Sequence, residues 1–247
     1  MTDAVLQAEA KLTVSLHMVG IRSDGYHLLE SEMVSLDLSD ALELNPDGDG
    51  LILHPESTVR VDVSADNLIN RALRLVDKRC GVTLRKNIPV GAGLGGGSAD
   101  AAAILRWTDE QDPLVGAKLG ADVPFCMRGG RALVSGIGEI VEPLGFQPRN
   151  FTLLTPPIHV DTKSVYQAFD ELGPGERRAD NDLESAAVAV APELGLWRDR
   201  LADWTGQQPH LAGSGATWFV EGHHSVPTDA NVQKARWVLA STTPGFF

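Results

Sequence analysis

The chain has 247 residues, of which 43% are hydrophobic and 22% charged, and its formal net charge at pH 7 is -12. This length is enough to bury an ample core, as one large domain or as two smaller ones. The negative charge argues against a nucleic-acid polymer as partner, because no basic surface would neutralise a phosphate backbone, whereas a small phosphorylated ligand needs only a local cluster of positive groups.

Cysteine usage and hydropathy indicate the compartment. Cys80 and Cys126 lack metal-ligand spacing, and such a pair is more typical of reduced thiols than of a disulfide framework. No apolar run reaches the length of a membrane span, and the start Met-Thr-Asp-Ala lacks the basic and then apolar pattern of a signal peptide. These features predict a cytoplasmic protein without a membrane partner, and they make no prediction of its oligomeric state.

Alternating apolar residues predict a first strand over residues 12–19, with Lys11 at its beginning. A tight polar loop is expected at 22–27, where Asp24-Gly25 is a turn signal. Two further strands are predicted at 34–38 and 41–44.

The sequence Asp47-Gly48-Asp49-Gly50 lacks the remaining ligands of a calcium loop and is interpreted as a hairpin turn. A helix is expected over 66–79, because its apolar residues fall on one stripe, followed by a strand over 82–86.

A glycine-rich loop follows that strand, with five glycines among residues 91–97. Glycine allows a positive φ, so consecutive N–H groups can turn toward one point. Ser98 and the alanine-rich run after it predict a helix that ends near Trp107. A helix start with unpaired N–H donors carries about half a positive charge, so the loop predicts a phosphate site.

Two other phosphate loops are excluded by context. Gly91-x-Gly93-x-x-Gly96 matches the dinucleotide fingerprint as text, but Pro89 interrupts the strand before it, and residues 109–113 form a polar break where the acidic residue of that fingerprint is expected. A Walker-type loop is excluded because no Lys-Ser or Lys-Thr pair follows the glycines.

The second half of the chain mixes strands and helices without regular alternation, which favours an α+β fold over a doubly wound sheet. Residues 119–125 are expected to form a turn that carries Asp122, and a second glycine loop at 211–219 is expected to open into a strand. The other elements expected here are strands at 131–140, 151–155 and 237–240, helices at 162–172, 182–190, 194–204 and 229–236, and a flexible link at 173–180.

Three stretches together resemble the GHMP family of small-molecule kinases, and the resemblance runs from about Lys11 to Phe219. They are Ala10-Lys11-Leu12 with Asp24-Gly25-Tyr26-His27, the stretch 88–102, and the loop 211–219. The Asp-Gly-Tyr-His turn, the triple glycine and Gly120-Ala121-Asp122-Val123-Pro124 are similar to the branch whose acceptor is a cytidine-diphosphate methylerythritol.

The resemblance implies a GHMP kinase fold of two domains with the active site in the cleft between them. An ATP-binding domain is expected over residues 1–150 and a substrate-side α+β domain over 151–247. The implied reaction uses ATP and Mg²⁺ and transfers the γ-phosphoryl group to the 2-hydroxyl of that polyol, a step of the non-mevalonate isoprenoid route.

The resemblance also implies residue roles. Asp122 is expected to be the general base, and Lys11 is expected to keep its carboxylate ionised and to stabilise charge on the attacking oxygen. By itself, Asp122 is also explained as a helix cap or turn residue, and Lys11 as a solvated strand end. No residue is assigned as a metal ligand.

Ten residues are expected to contact the nucleotide: Asn67, Lys86, Pro89, Gly91, Gly93, Leu94, Gly95, Gly96, Gly97 and Ser98. Asn67 aligns with the adenine side and Lys86 with the phosphates. The alternatives are a helix-start residue for Asn67, an exposed strand lysine for Lys86 and a plain N-cap for Ser98.

Substrate contacts are expected from six residues: Thr13, Tyr26, His27, Tyr166, Asn181 and Ser214. Tyr26 would stack on the cytosine, His27 would bind its polar edge, and Tyr166 would close the sandwich or belong to the core. Ser214 would form part of the cleft floor, and Asn181 would contact substrate or cap a helix.

The chain departs from the family in two places. Thr13 stands where the family has Asn, and the segment between Trp107 and Gly120 is shorter than usual. A kinase for another small alcohol, such as mevalonate or homoserine, is disfavoured by the Asp-Gly-Tyr-His turn, since those acceptors carry no base to stack. A catalytically silent relative would be expected to lose Lys11 or Asp122, and both are present.

Overall fold

The computed structural model describes residues 4–173, 180–227 and 234–246. Within these ranges the strands are β1 (Ala4–Thr13), β2 (His17–Ile21), β3 (His27–Asn45), β4 (Gly50–Leu53), β5 (Gly81–Arg85), β6 (Arg131–Gly136), β7 (Ile140–Leu144), β8 (Asn150–Thr155), β9 (His210–Leu211), β10 (Trp218–Glu221) and β11 (Arg236–Ser241). The helices are α1 (Leu68–Leu75), α2 (Gly96–Trp107), α3 (Pro113–Ala117), α4 (Val123–Arg128), α5 (Thr162–Leu172), α6 (Glu184–Val190) and α7 (Glu193–Thr205).

The first half of the chain forms a sheet in the order β4-β5-β3-β6-β7, and β1 and β2 also pair with β3. β3 is one continuous strand of 19 residues, where the sequence pattern predicted two separate strands. The prediction of one continuous strand over residues 12–19 was wrong, because residues 14–16 separate β1 from β2. Leu16 leaves the sheet there to exchange hydrogen bonds with residues 180 and 182, which contribute a carbonyl oxygen at 2.7 Å and an N–H at 2.9 Å.

Two turn predictions are corrected by the pairing of the strands. Residues 47–50 do not close a hairpin, because β5 lies between β3 and β4 and pairs parallel with β4. β5 takes the inner position because its Val82 and Leu84 side chains are buried in the core. The predicted strand over 131–140 is instead a hairpin of β6 and β7.

Helix α2 lies in the core, and its small side chains allow the neighbouring elements to approach closely. Ala99, Ala101, Ala102 and Ala103 are all buried. α1 is shorter than predicted and ends at Leu75, where Asp77 turns the backbone to a positive φ of 51°. The predicted helix over 162–172 is confirmed as α5.

The second half forms a four-stranded sheet in the order β11-β8-β10-β9. The predicted α+β class is confirmed, with the sheets dividing between Leu144 and Asn150. The helix predicted over 229–236 and the link over 173–180 fall largely outside the described residues, although Arg236, the expected end of that helix, begins β11. Among the described helices, none has the length and apolar character needed to cross a bilayer.

The two sheets are joined at their shared side by charged and backbone contacts. Arg149, at the start of the second half, pairs with Glu32 of β3 at 3.3 Å and with Glu221 of β10. The segment after β11 returns to the first half, where the N–H of Thr243 donates to the carbonyl of Ser35 at 3.0 Å and that of Phe246 to Arg128 at 2.9 Å. These contacts hold the two sheets against each other.

Candidate active site

The glycine loop opens α2 as predicted, but the cap of that helix differs from the prediction. Gly95, in the left-handed region with φ 64°, is the N-cap residue, and Ser98 lies inside the first turn. Ser98 is therefore not the N-cap. The backbone N–H groups of the first turn have no intrahelical acceptor, so they remain available to an anion.

The two glycine loops touch, and glycine is required at the contact. A Cβ on Gly93 would lie 2.3 Å from the carbonyl oxygen of Ala212 and 2.9 Å from Cα of Gly215. The N–H of Thr217 donates to the carbonyl of Ala92 at 3.2 Å and fixes the pairing of the loops. Any larger residue at Gly93 would push the loops apart.

A cavity of about 600 Å³ lies beside the first glycine loop. Residues 60–62 and 66–68, which lead into α1, also line it. All ten residues expected to contact the nucleotide line this cavity. They are thus brought together in one place, while their contacts with a nucleotide remain a prediction.

The side chain of Asn67 caps the N-terminus of α1, which is the helix-start role that the sequence left open for it. Its Oδ1 accepts the N–H of Ile69 at 2.9 Å, and its Nδ2 donates to the carbonyl of Asp62 at 2.7 Å. The amide is thereby held at the edge of the cavity.

Lys86 is a buried member of a charged cluster, and the exposed strand lysine considered above is excluded. Its side chain is 3% exposed, and its ammonium donates to Asp40 Oδ2 and, at 2.7 Å, to Asp100 Oδ2. Asp40 also accepts the N–H of Ile88 at 2.8 Å. The cluster of Asp40, Lys86 and Asp100 therefore supports the base of the glycine loop from below.

Two carboxylates share one ammonium in this cluster, and the environment of Asp100 reflects it. Asp100 Oδ1 is buried and has no hydrogen-bond partner. Burial raises the pKa of Asp100 to about 7, although Lys86 beside it acts in the opposite direction. Burial lowers the pKa of Lys86, but Asp100 and Asp40 outweigh burial and hold it above its usual value.

Lys11 and Asp122 meet between the two glycine loops. Lys11 Nζ lies 3.3 Å from Asp122 Oδ2, with the lysine side chain 7% and the aspartate side chain 32% exposed. Asp122 occupies the N-cap position of α4, but its side chain makes no capping hydrogen bond. Its carboxylate is directed to the lysine, so capping does not account for this residue.

The backbone around Lys11 explains how a lysine in a core strand comes to face the site. The pairing register of β1 with β3 shifts between Glu9 and Lys11, and the N–H of Lys11 donates to the carbonyl of Leu94 at 3.1 Å. A Cβ on Gly95 would lie 2.6 Å from Lys11 Cγ, so the lysine stem occupies space that only glycine leaves free.

Thr13 belongs to the same cluster. Its hydroxyl accepts a hydrogen bond from Lys11 Nζ at 2.9 Å. A Cβ built on Gly213 would lie 3.4 Å from that hydroxyl and 3.6 Å from Lys11 Nζ, so the second glycine loop closes over both side chains.

The residues expected at the base of the substrate are only partly brought together. The ring centroids of His27 and Tyr166 are 5.2 Å apart, and His27 Nε2 lies 2.7 Å from Asp170 Oδ1. Tyr166 is partly buried against the core, and this burial, with a contribution from Asp122, raises its pKa to about 12. Tyr26 is 60% exposed, and His27, not Tyr26, contacts Tyr166.

Asn181 and Ser214 both support the second glycine loop. Asn181 is buried, and its Nδ2 donates to the carbonyls of Leu211 at 2.8 Å and Gly213 at 2.7 Å. Its Oδ1 accepts the N–H of Leu183 at 2.9 Å just before α6, which fits the helix-cap alternative, while a substrate contact of this side chain stays a prediction. Ser214 Oγ lies 3.1 Å from Thr162 Oγ1 at the start of α5.

Sequence reasoning missed four charged residues of this region: Arg60, Asp40, Asp100 and Asp170. Two of them carried a signal. Asp100 is the one charged residue in an alanine run, and Asp40 takes a core position in an otherwise alternating strand. An isolated carboxylate at a buried position requires a partner, and Lys86 is that partner here.

Comparison with known proteins agrees with this geometry. Residues 67–130 match the family model described as the GHMP kinases N terminal domain. The 4-diphosphocytidyl-2-C-methyl-D-erythritol kinase of Paracoccus denitrificans is 37% identical over 259 residues, covering 97% of this chain and 93% of the relative. The enzyme of the same name from Cereibacter sphaeroides is 39% identical over 248 residues, covering 89% and 88%.

A solved structure extends the likeness to three dimensions. The crystal structure of a 4-(cytidine 5'-diphospho)-2C-methyl-D-erythritol kinase superposes with a TM-score of 0.76 and 28% identity, covering 96% of this chain and 98% of that one. Identity above a third across nearly the whole length, together with the same fold, shows that this chain belongs to the 4-diphosphocytidyl-2-C-methyl-D-erythritol kinase family of GHMP kinases.

Proposed function

We propose that the chain transfers the γ-phosphoryl group of ATP to the 2-hydroxyl of 4-diphosphocytidyl-2-C-methyl-D-erythritol. The observation that carries this proposal is the ion pair of Lys11 and Asp122 at 3.3 Å, held beside a glycine loop and a helix start. Phosphoryl transfer depends mainly on positioning and charge stabilisation. This arrangement offers an anion site and, next to it, a carboxylate–ammonium pair.

Asp122 acts in this proposal as the general base. Its carboxylate, partly open to solvent, accepts the proton of the acceptor hydroxyl as the oxygen attacks phosphorus. The ammonium of Lys11 favours the ionised carboxylate and stabilises negative charge on the attacking oxygen. Thr13 holds the ammonium in place through its hydroxyl at 2.9 Å.

The triphosphate is bound by backbone N–H groups at the start of α2 in the proposed complex. We assign ATP binding to residues 1–150 and the substrate side to 151–247, with the contacts between the glycine loops closing the cleft. Mg²⁺ would enter with the nucleotide and neutralise phosphate charge. In the described part of the chain no group of three or more metal-ligating side chains is present, which fits an ion that keeps mostly phosphate and water ligands.

The cytidine end of the acceptor is assigned to the region of His27, Tyr166 and Tyr26. An imidazole held by Asp170 presents a fixed polar edge, and Tyr26 is exposed, with the guanidinium of Arg22 5.4 Å from its ring centroid. A cytoplasmic location is part of the proposal and is supported by the two free thiols, Cys80 and Cys126, both buried.

The test is an ADP-release assay with two acceptors, the cytidine-diphosphate methylerythritol and the same polyol phosphate without the cytidine. We expect turnover with the first and little with the second, because the second lacks the base that the His27 region would hold. Equal turnover would refute the assignment of the cytidine. Failure of both acceptors in the presence of ATP and Mg²⁺ would refute the kinase itself.

A further inference from the structure

The charge of the nucleotide cavity is unbalanced for a polyanion. Among the residues that line it, Asp62, Asp66 and Asp100 carry carboxylates, and only Arg60 and Lys86 are basic. A nucleotide triphosphate brings several negative charges, so a cation at this wall would stabilise the complex strongly. The question is which of the two basic side chains is available.

Lys86 is already neutralised by its surroundings. Its ammonium is 3% exposed and donates to two carboxylates, so the cluster beneath the loop has no positive charge in excess. Two of its three N–H donors are used by these carboxylates, so at most one remains for a ligand. Lys86 therefore brings no net positive charge to the cavity.

Arg60 has the opposite environment. It is exposed at the wall of the cavity, and within the described ranges its side chain makes no ion pair or hydrogen bond. Its backbone is nevertheless anchored on both sides. The N–H of Thr58 donates to the carbonyl of Lys86 at 3.0 Å, and the carbonyl of Asp62 accepts a hydrogen bond from Asn67 Nδ2 at 2.7 Å.

This anchoring determines where the guanidinium can reach. Thr58 is fixed to the residue three positions before Pro89, so Arg60 begins beside the entry of the glycine loop. A flexible side chain on a fixed backbone can swing onto a ligand in the cavity at little structural cost. The planar guanidinium can form two parallel hydrogen bonds with phosphate oxygens.

We propose that Arg60 is a cation of the nucleotide site and that its guanidinium binds the phosphates of ATP from beside the entry of the glycine loop. The proposal rests on the proposed function in that ATP is the nucleotide, but it does not depend on the acceptor. It adds Arg60 to Lys86, for which the resemblance predicted a phosphate contact.

The experiment measures Kd by calorimetry for ATP, ADP, AMP and adenosine, with wild type, Arg60→Ala, Arg60→Lys and Arg79→Ala. Arg79 is the matched control, since it is exposed on the same half of the chain, is paired with Asp49 and does not line the cavity. Arg60→Ala is expected to raise the Kd for ATP roughly tenfold to hundredfold, the range for hydrogen bonds to charged groups. Arg60→Lys should recover part of the loss, and Arg79→Ala should change nothing.

The nucleotide series separates phosphate binding from base stacking. The loss in Arg60→Ala should shrink from ATP to AMP and vanish for adenosine, and the affinity of the variant should depend less on salt. An ATP Kd within twofold of wild type would overturn the proposal, and so would an equal loss for adenosine and ATP. If wild type binds ATP but phosphorylates neither acceptor, the proposed function fails while the assignment of Arg60 stands; if wild type does not bind ATP, both fail.

Discussion

Replacing Lys86 with Met tests the buried cluster beneath the glycine loop. Methionine matches the length of the lysine stem but removes the ammonium that Asp40 and Asp100 share. The side chain of Asp40 is fully buried and that of Asp100 is 5% exposed, so both carboxylates would be left in the core without their cation. Breaking a buried pair in this way costs about 3–5 kcal/mol.

The loss of unfolding free energy in Lys86→Met should depend on pH, and the charges of the cluster determine the direction of that dependence. Without the ammonium, the attraction that lowers the folded-state pKa of Asp100 is lost, so this pKa rises further and acid removes the uncompensated charge of that carboxylate. The destabilisation is therefore greatest above pH 8 and smallest near pH 5. In the wild type the pKa of Asp100 is already raised, to about 7. The stabilising contribution of Asp100 to the free energy of unfolding is therefore fully present below about pH 4 and is lost as pH rises through 7.

The assay is urea unfolding at pH 5.5, 7 and 8.5, with Lys118→Met as the matched control. Lys118 is exposed, so its variant should stay within about 0.5 kcal/mol of wild type at each pH. Lys86→Met combined with Asp100→Asn removes one of the stranded charges and should recover part of the loss. A cost below about 1 kcal/mol at pH 8.5, or one that does not change with pH, would refute this account of the cluster.

Four further substitutions test the site and its supports. Asp122→Asn should lower kcat by roughly 10²–10⁴-fold in the ADP-release assay and leave ATP affinity unchanged. Asp112→Asn, at the N-cap of α3, is the control. Wild-type turnover by Asp122→Asn would show that Asp122 is not the general base. Tyr26→Ala should raise KM for the cytidine substrate more than for ATP, and equal effects would place the ring elsewhere. Gly95→Ala should lower kcat/KM at least tenfold, on the order of the loss that a small misplacement of catalytic groups causes. The reason is that the new Cβ would lie 2.6 Å from Lys11 Cγ, at a residue whose φ is 64°. Wild-type kinetics would contradict that geometry. Phe246→Ala should lower the free energy of unfolding, measured in urea, by about 1–2 kcal/mol, because the guanidinium of Arg106 packs 3.7 Å from the ring centroid. Unchanged stability would mean that this contact does not stabilise the fold.

Local sequence signals predicted the parts of the site that depend on local backbone preference. The glycine run and the alanine run after it predicted the loop and the end of α2, although the observed N-cap lies three residues before the predicted N-cap, since positive φ and helix propensity are properties of neighbouring residues. The order of the strands was not accessible in the same way. β5 inserts between β3 and β4 because of buried contacts with the rest of the core, and the Asp-Gly turn before β4 carries no information about them.

Individual roles stay predictions where one residue type suits two environments. Lys86 was predicted to contact phosphate because it aligns with a family position, and the two carboxylates that bind its ammonium lie 46 and 14 residues away in the chain. Asn181 was predicted to contact substrate or to cap a helix, and its amide donates to carbonyls 30 and 32 residues away. Such pairings become visible only when the fold brings distant segments together.

The position of the Lys11–Asp122 pair depends on backbone contacts that neither side chain makes. Lys11 reaches the site because its N–H is bound by the loop at Leu94 and because Gly95 leaves room for its stem. Asp122 reaches it because α4 begins there without using the carboxylate as a cap. The Cβ-free contact at Gly93 then fixes the loops against each other. Replacing Gly93 or Gly95 with alanine should therefore impair turnover, as the loss of a catalytic side chain does. The reason is that main-chain packing sets the distances of the ammonium and the carboxylate from each other and from the phosphate site.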